Sequence, residues 1–242
     1  MPASPFAWYR QGEFDLHART WADASGSNNG ATLAPSGLLA ASLSGHGAGG
    51  PVLALHGSTS GLILFGDVIK TSFTMCSVTR YTGSARGRVL NGVGCNFVQG
   101  HHNPTVTGVA FYGGTQRTAW AAHVSPVTDW VVMCGTNAVS DAILVNGQDV
   151  GTGTGGTGGC RLGINLGESM PAEASEFAIA ELMVWDRGLS TEEMQETSQH
   201  LMRNVLGIIP SPSPPPTQPP PSQPPLTPPP PTPSPPPPLP SP

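Results

Sequence analysis

Basic residues are scarce in this 242-residue chain: Lys and Arg number 10 against 15 Asp and Glu, for a net charge of −5. The ten do not cluster. Binding to a phosphate backbone releases counterions only where a concentrated basic face exists, so nucleic acid is excluded as a partner class. No apolar run approaches the roughly 20 residues that cross a bilayer, and no membrane span is expected. The opening residues, MPASPFAWYRQ, lack a charged stretch leading into an apolar one, so no signal peptide is legible there. The chain also has no Asn-x-Ser/Thr acceptor for N-glycosylation and no HExxH metal motif. At Gly57 to Gly61 a GxSxG-like run has Thr59 where the nucleophilic serine of a hydrolase elbow stands. Cysteines number four, none in the CxxC spacing of a zinc site.

What the chain does have is glycine, 31 residues, and proline, 28. The proline is concentrated at one end. Residues 210–242 hold only Pro, Ser, Thr, Gln and Leu, and 21 of these 33 residues are proline. Proline fixes φ and lacks an amide donor, so this composition predicts a polyproline II stalk rather than a sheet or helix. Residues 1–209 carry all the charged residues, aromatics, cysteines and glycines, enough for one β-sandwich domain.

Short runs rich in Val, Ile, Thr and aromatics, bounded by Gly, Asn, Asp or Ser, recur along that domain. They are Phe73 to Tyr81, Gly87 to Asn91, Asn96 to Gly100, Thr107 to Tyr112, Trp130 to Cys134 and Phe177 to Trp185. Asn146-Gly147 between apolar runs predicts a hairpin, since both central residues of a type I′ turn need positive φ. One helix is expected late in the chain. Ser190 caps it, Glu193 completes a capping box, Met194, Leu201, Met202 and Val205 form its apolar stripe, and Gly207 stops it. A GxGxxG pattern fits in two registers, from Gly151 and from Gly153, but a phosphate-binding loop needs a helix to follow, and here the strand-like Cys160 to Gly167 follows instead. The fold class is therefore all-β: two antiparallel sheets in a sandwich, with one short C-terminal helix.

Cys76 and Cys134 each fall inside a strand-like run, which suits buried thiols and a bridge equally. Cys95 and Cys160 flank glycine-rich turns and suit a bridge in an oxidising compartment. Trp8, Trp21, Trp130 and Trp185 sit in apolar settings as core anchors, whereas Trp120, between alanines and near His123, is a candidate for exposure.

Four segments resemble the laminin-G-like and pentraxin-like domains of the concanavalin A-like lectin/glucanase superfamily. They are TWADASGSNNGATL (Thr20 to Leu33), SFTMCSVTRY (Ser72 to Tyr81), ILVNGQDVG (Ile143 to Gly151) and FAIAELMVWDRGLSTEEMQETSQHLMRNVLG (Phe177 to Gly207). The resemblance implies a jelly-roll sandwich that binds glycans or other extracellular partners, sometimes with calcium. The tail resembles the proline-rich segments of hydroxyproline-rich wall glycoproteins of green algae and plants, in which the prolines are hydroxylated and O-glycosylated. Together these imply an extracellular, cell-wall or cell-surface location, with glycans or matrix glycoproteins as partners. The superfamily also contains glucanases with an ExDxxE strand. Here Glu13 and Asp15 are followed by Ala18 in place of the general acid, so no catalytic residue is expected.

Two groups of candidate site residues follow. Asp23, Ser25, Asn28 and Asn29 gather oxygen-bearing side chains in one loop, as calcium requires, although one carboxylate is few for a calcium site and the same residues build Asx turns. Asp67 is a second carboxylate should the fold bring it near. Arg80, Tyr81, His101, His102, Tyr112 and Trp120, with Phe111, offer the aromatic faces and hydrogen-bonding groups of a sugar-binding patch, or else edge a sheet. Neighbouring strand residues point to opposite faces, so at most one of His101 and His102 faces a ligand.

Overall fold

A computed structural model describes residues 4–138, 142–167 and 170–209. The expectation of a polyproline II tail over 210–242 lies outside the described residues.

The described residues form a two-sheet antiparallel jelly-roll sandwich backed by one helix. The first sheet runs in the order β15 (Gln148–Asp149), β14 (Ile143–Val145), β13 (Val131–Thr136), β8 (Thr74–Tyr81), β17 (Phe177–Trp185), β6 (Val52–Gly57), β5 (Leu38–Leu43), with β1 (Ala7–Tyr9) also pairing with β17. The second runs β12 (Thr115–Gln116), β11 (Thr107–Tyr112), β10 (Phe97–His101), β9 (Leu90–Val93), β16 (Cys160–Ile164), β7 (Ile63–Ile69), β4 (Ala31–Leu33), β3 (Thr20–Trp21), β2 (Phe14–Asp15).

Two apolar layers hold this together. Between the sheets lie Trp21, Phe65, Phe73, Phe97, Tyr112, Phe177 and their aliphatic neighbours. On the outer face of the first sheet, Val52, Val78, Trp130, Val132 and Trp185 pack under α1 (Thr191–Asn204), which contributes Met194 and Leu201. Strand β8 is therefore covered on both sides and buried at every position. Its sequence shows no polar alternation for that reason.

The local signals explain the elements. Asn146 and Gly147 have φ of 48° and 80°, as the two-residue hairpin turn requires. The helix begins at Ser190, whose Oγ accepts from Glu193 N at 3.2 Å while Glu193 Oε2 accepts from Ser190 N at 2.8 Å. Arg187 pairs with the same carboxylate at 2.7 Å. Both disulfides lie within a sheet: Cys76–Cys134 joins register partners on β8 and β13, and Cys95–Cys160 joins the β9–β10 turn to β16. The first settles the choice between thiols and a bridge.

The glycine-rich segment turns out to work with polarity opposite to a phosphate loop. Its carbonyls, not its amides, converge. Gly153 O and Gly155 O each accept from the buried Arg117 at 2.6 Å, and Thr136 O accepts a third bond at 2.5 Å. The arginine is thereby enclosed and the loop pinned beside Tyr112.

Candidate functional site

The hairpin of β10 and β11 places residues on both faces of the second sheet. Phe97, Gln99 and His101 on β10, and Ala110 and Tyr112 on β11, turn inward, while Val98, Val109 and Phe111 turn outward and pack with Val106. The segment after β12 runs back alongside: His123 N donates to Thr107 O at 2.9 Å, and Thr107 Oγ1 donates to Val124 O at 3.0 Å. Trp120 sits on this segment and is 44 % exposed. Its ring stacks 6.3 Å from Phe111, and the His102 ring lies 4.9 Å away.

Charged groups from farther off in sequence act on His102. Arg88 Nη1 donates to Asn96 Oδ1 at 2.8 Å, and Arg88 Nε pairs with Glu173 Oε2 at 2.7 Å. Burial holds His102 below the ordinary imidazole pKa, the nearby Arg88 charge adds to this, and Glu173 opposes it. The imidazole is thus a neutral group near pH 7, and its buried Nδ1 has no hydrogen-bond partner among the described residues. The Glu173 loop is held by Asn165, whose amide donates to Ser58 O, Gly61 O and Ser175 O at 3.1, 3.1 and 3.0 Å. Sequence reading passed over Arg88, Asn96 and Glu173. Arg88 stands inside a run singled out for its strand character, and nothing in that run shows that a loop 85 positions later supplies its partner.

The six residues expected to form one sugar-binding patch are divided by the fold. His102 and Trp120 come together, and three of the others are core. Tyr81 OH donates to Gly87 O at 2.5 Å, Tyr112 OH donates to Gln99 Oε1 at 2.7 Å, and both rings are fully buried. Burial raises both phenol pKa values, so they stay protonated donors. His101 is also fully buried, edge-on to Tyr81 at 4.6 Å with Nδ1 3.4 Å from Thr79 Oγ1, and burial pushes its pKa down to about 3. The pair splits inward and outward by the ordinary alternation of β10, and the register shift there is an extra residue, Gly108, on the partner strand. Arg80 lies on the outer face of the other sheet, near Trp130.

The four candidate calcium ligands do share one loop, but the loop uses its own oxygens. Asp23 Oδ1 accepts from Trp8 N and Ser25 N, and Oδ2 from Asn29 N, each at 2.9 Å. Ser25 Oγ and Asn29 Nδ2 both donate to Phe6 O, at 3.0 and 2.8 Å, and Asn28 is an exposed turn residue with φ of 61°. Burial works against the Asp23 charge, yet the amide donors prevail and keep its pKa below the ordinary carboxylate value. A carboxylate so committed to N–H groups does not fit a calcium ion, which needs those lone pairs. Asp67 is exposed on β7, and among the described residues no three His, Cys, Asp or Glu side chains gather as a metal site.

No protein-family model matches the sequence, and no curated protein matches it. Solved structures do resemble the fold. A Trypanosoma rangeli sialidase in complex with 2,3-difluorosialic acid superposes with a TM-score of 0.56 at 14 % identity, covering 84 % of this chain and 34 % of that one. Domain 4 of AbnA, a GH43 extracellular arabinanase from Geobacillus stearothermophilus in complex with arabinotriose, gives 0.55 at 14 % identity, over 81 % of this chain and 98 % of that one. The same sialidase with sialic acid gives 0.52 at 12 % identity. This chain thus spans about a third of the sialidases' length and is comparable to the whole of the arabinanase domain. At such identities the likeness establishes a shared β-sandwich architecture. Among the described residues no helix is long and apolar enough to cross a membrane.

Proposed function

We propose that residues 1–209 form a non-catalytic, lectin-like carbohydrate-binding module of the concanavalin A-like type, acting outside the cell. The observation that carries this is the solvent-facing Trp120 ring, backed by Phe111 and His102, with the charges of Arg88 and Glu173 near enough to act on that imidazole. A sugar ring presents C–H groups that stack on an indole, while its hydroxyls need fixed donors and acceptors beside that ring. The patch has both, and no deep cleft is required. Two further observations support the reading. The architecture matches a domain described in complex with arabinotriose. Two disulfides suit an oxidising compartment, which agrees with an extracellular location. The proline-rich sequence of 210–242 adds a stalk of wall-glycoprotein type, hydroxylated and O-glycosylated.

The reading is non-catalytic because Ala18 replaces the acid of ExDxxE and Asp15 Oδ1 is occupied by His17 N and Ala18 N, each at 2.8 Å. Binding of the full chain to an array of neutral oligosaccharides, arabinotriose included, tests it, with free sugar as competitor. Competed binding that is lost in Trp120→Ala, without turnover of the bound sugar, is expected. Absence of binding at millimolar sugar, or equal binding by the variant, overturns it.

A further inference from the structure

A sheet that ends in a strand leaves a row of backbone donors and acceptors unpaired, and folded chains protect such edges with short strands, charge or a covering loop. Most edges of this sandwich follow that rule. β15, β12 and β2 are two residues each, and β15 and β2 carry Asp149 and Asp15. β1 is three residues long, and its far side is closed by Asp23 Oδ1, which accepts from Trp8 N at 2.9 Å, and by Ala24 N, which donates to Trp8 O at 2.8 Å. β5 is the exception. It runs for six residues, Leu38–Leu43, pairs with β6 on one side, and among the described residues makes no backbone hydrogen bond on the other. It carries no charge, proline or bulge, and Asp, Glu, Lys and Arg are all absent from Ala24 to Gly66.

The ladder fixes which backbone groups are open. Ser58 N donates to Gly37 O at 2.9 Å, and the register continues from Leu38 opposite Gly57 to Leu43 opposite Val52. Antiparallel pairs alternate between bonded and unbonded, so Leu39, Ala41 and Leu43 bond to β6, while Leu38, Ala40 and Ser42 aim their N–H and C=O groups away from it. Ala40 and Ser42 are exposed, and Leu39 between Leu38 and Ala40 is 49 % exposed. This row is complementary to a second copy of itself. A two-fold axis at Ala40 sets Ala40 across from its own copy, Leu38 across from Ser42, and Leu39 across from Ala41. Each leucine then meets a small residue, no like charges are opposed, and about six N–H to O bonds close between the open groups. The segment 210–242 cannot supply such a ladder, since 21 of its 33 residues are prolines without an amide donor.

We propose that β5 is the seam of a homodimer, in which two copies of this chain pair antiparallel through Leu38 to Ser42 and join their first sheets into one continuous sheet. The same patch serves both copies, so the two-fold axis closes the contact and assembly stops at two. Pairing covers the exposed Leu39 with Ala41 of the second copy and satisfies the open groups of Leu38, Ala40 and Ser42. The seam belongs to the first sheet and uses no residue of the Trp120 patch, so it stands whether or not that patch binds sugar. Each dimer carries two such patches.

Sedimentation equilibrium of the intact chain, from about 10 µM to about 1 mM, is expected to show a reversible rise from one chain mass to two. Ala40→Pro removes an open N–H without touching the β6 ladder and is expected to weaken the dimer by at least about 30-fold. Ala40→Lys and Ala40→Glu each set like charges across the axis, so each alone is expected to stay monomeric and the two mixed to form a dimer. Trp120→Ala is expected to dimerise as the wild type does. A wild type that stays monomeric over the whole range overturns the proposal, as does a dimer that survives both Ala40→Pro and Ala40→Lys. Should Ala40→Pro not fold, dimers in both charge variants alone overturn it. Masses that climb past two copies overturn the closed two-fold contact, a mixture of the charge variants that stays monomeric overturns the placing of Ala40 on the axis, and loss of the dimer in Trp120→Ala overturns the choice of seam.

Discussion

His101 makes the chain acid-sensitive in a way that one substitution isolates. The imidazole is fully buried between the sheets and its pKa is pushed from 6.5 to about 3 by that burial. Above pH 6.5 the folded and unfolded chains both hold it neutral, and it adds no pH dependence. Between pH 6.5 and 3 the unfolded chain takes up a proton that the folded chain refuses, so stability falls as pH falls. The slope is about 1.36 kcal/mol per pH unit, which comes to about 2.7 kcal/mol lost by pH 4.5 and about 5 kcal/mol by pH 3. Below about pH 3 both states are charged and the loss levels off.

Carboxylates such as Asp23, whose pKa is lowered, also lose stabilising charge in this range. They cancel in a comparison with His101→Asn, which keeps a hydrogen-bonding atom near Thr79 and does not titrate. Urea unfolding of both chains at pH 7 and pH 4.5 is the assay. The wild type should lose about 2.7 kcal/mol more than the variant over that interval. Parallel losses refute the argument, because they mean that His101 is charged in the fold or reaches water.

Trp120→Ala should cut glycan affinity by about 30-fold, the effect of a 2 kcal/mol hot spot, while moving stability by no more than about 0.5 kcal/mol, since the ring is half in solvent. Replacing Cys76 and Cys134 by Ala removes a link closing a loop of 58-residue separation, worth about 4 kcal/mol by loop entropy, and denaturant midpoints measure it. Ser190→Ala leaves Glu193 N without its cap and should cost about 1 kcal/mol, read by thermal unfolding followed at the helix band.

The sequence was most legible where a local rule acts alone. The Asn146-Gly147 turn and the Ser190/Glu193 box are set by φ preference and by four consecutive residues, and both stand as expected. Trp21, Trp130 and Trp185 are buried and Trp120 is exposed, but Trp8, expected as a core anchor, is only half-buried, its indole N–H donating to Glu181. The stretch from Leu38 to Ile69 was harder. It contains β5, β6 and β7, yet its polar and apolar residues do not alternate cleanly, because β6 buries apolar residues on both faces and β7 pairs with β16 through register shifts. The site residues were divided for a related reason. Tyr81 and Tyr112 have the composition of a binding edge, but Tyr81 is fixed by register with Phe177 far along the chain, and Tyr112 turns inward to pack against Phe73 and Phe97 and to bond Gln99. His101 and His102 do take opposite faces, and the inward turn of His101 follows the alternation of β10 from Phe97 through Gln99, whose own direction is set by packing between the sheets.

Each disulfide staples strands side by side within its own layer, and neither crosses the gap to the facing layer. The molecule is in effect a laminate: covalent thread runs in the plane of every ply, while ply is joined to ply by the oily filling and a few side-chain rivets such as Gln99 to Met75 O and Arg117 to Thr136 O. Thiol reductants would therefore loosen strands inside a ply, and leave the join between plies to its filling and rivets.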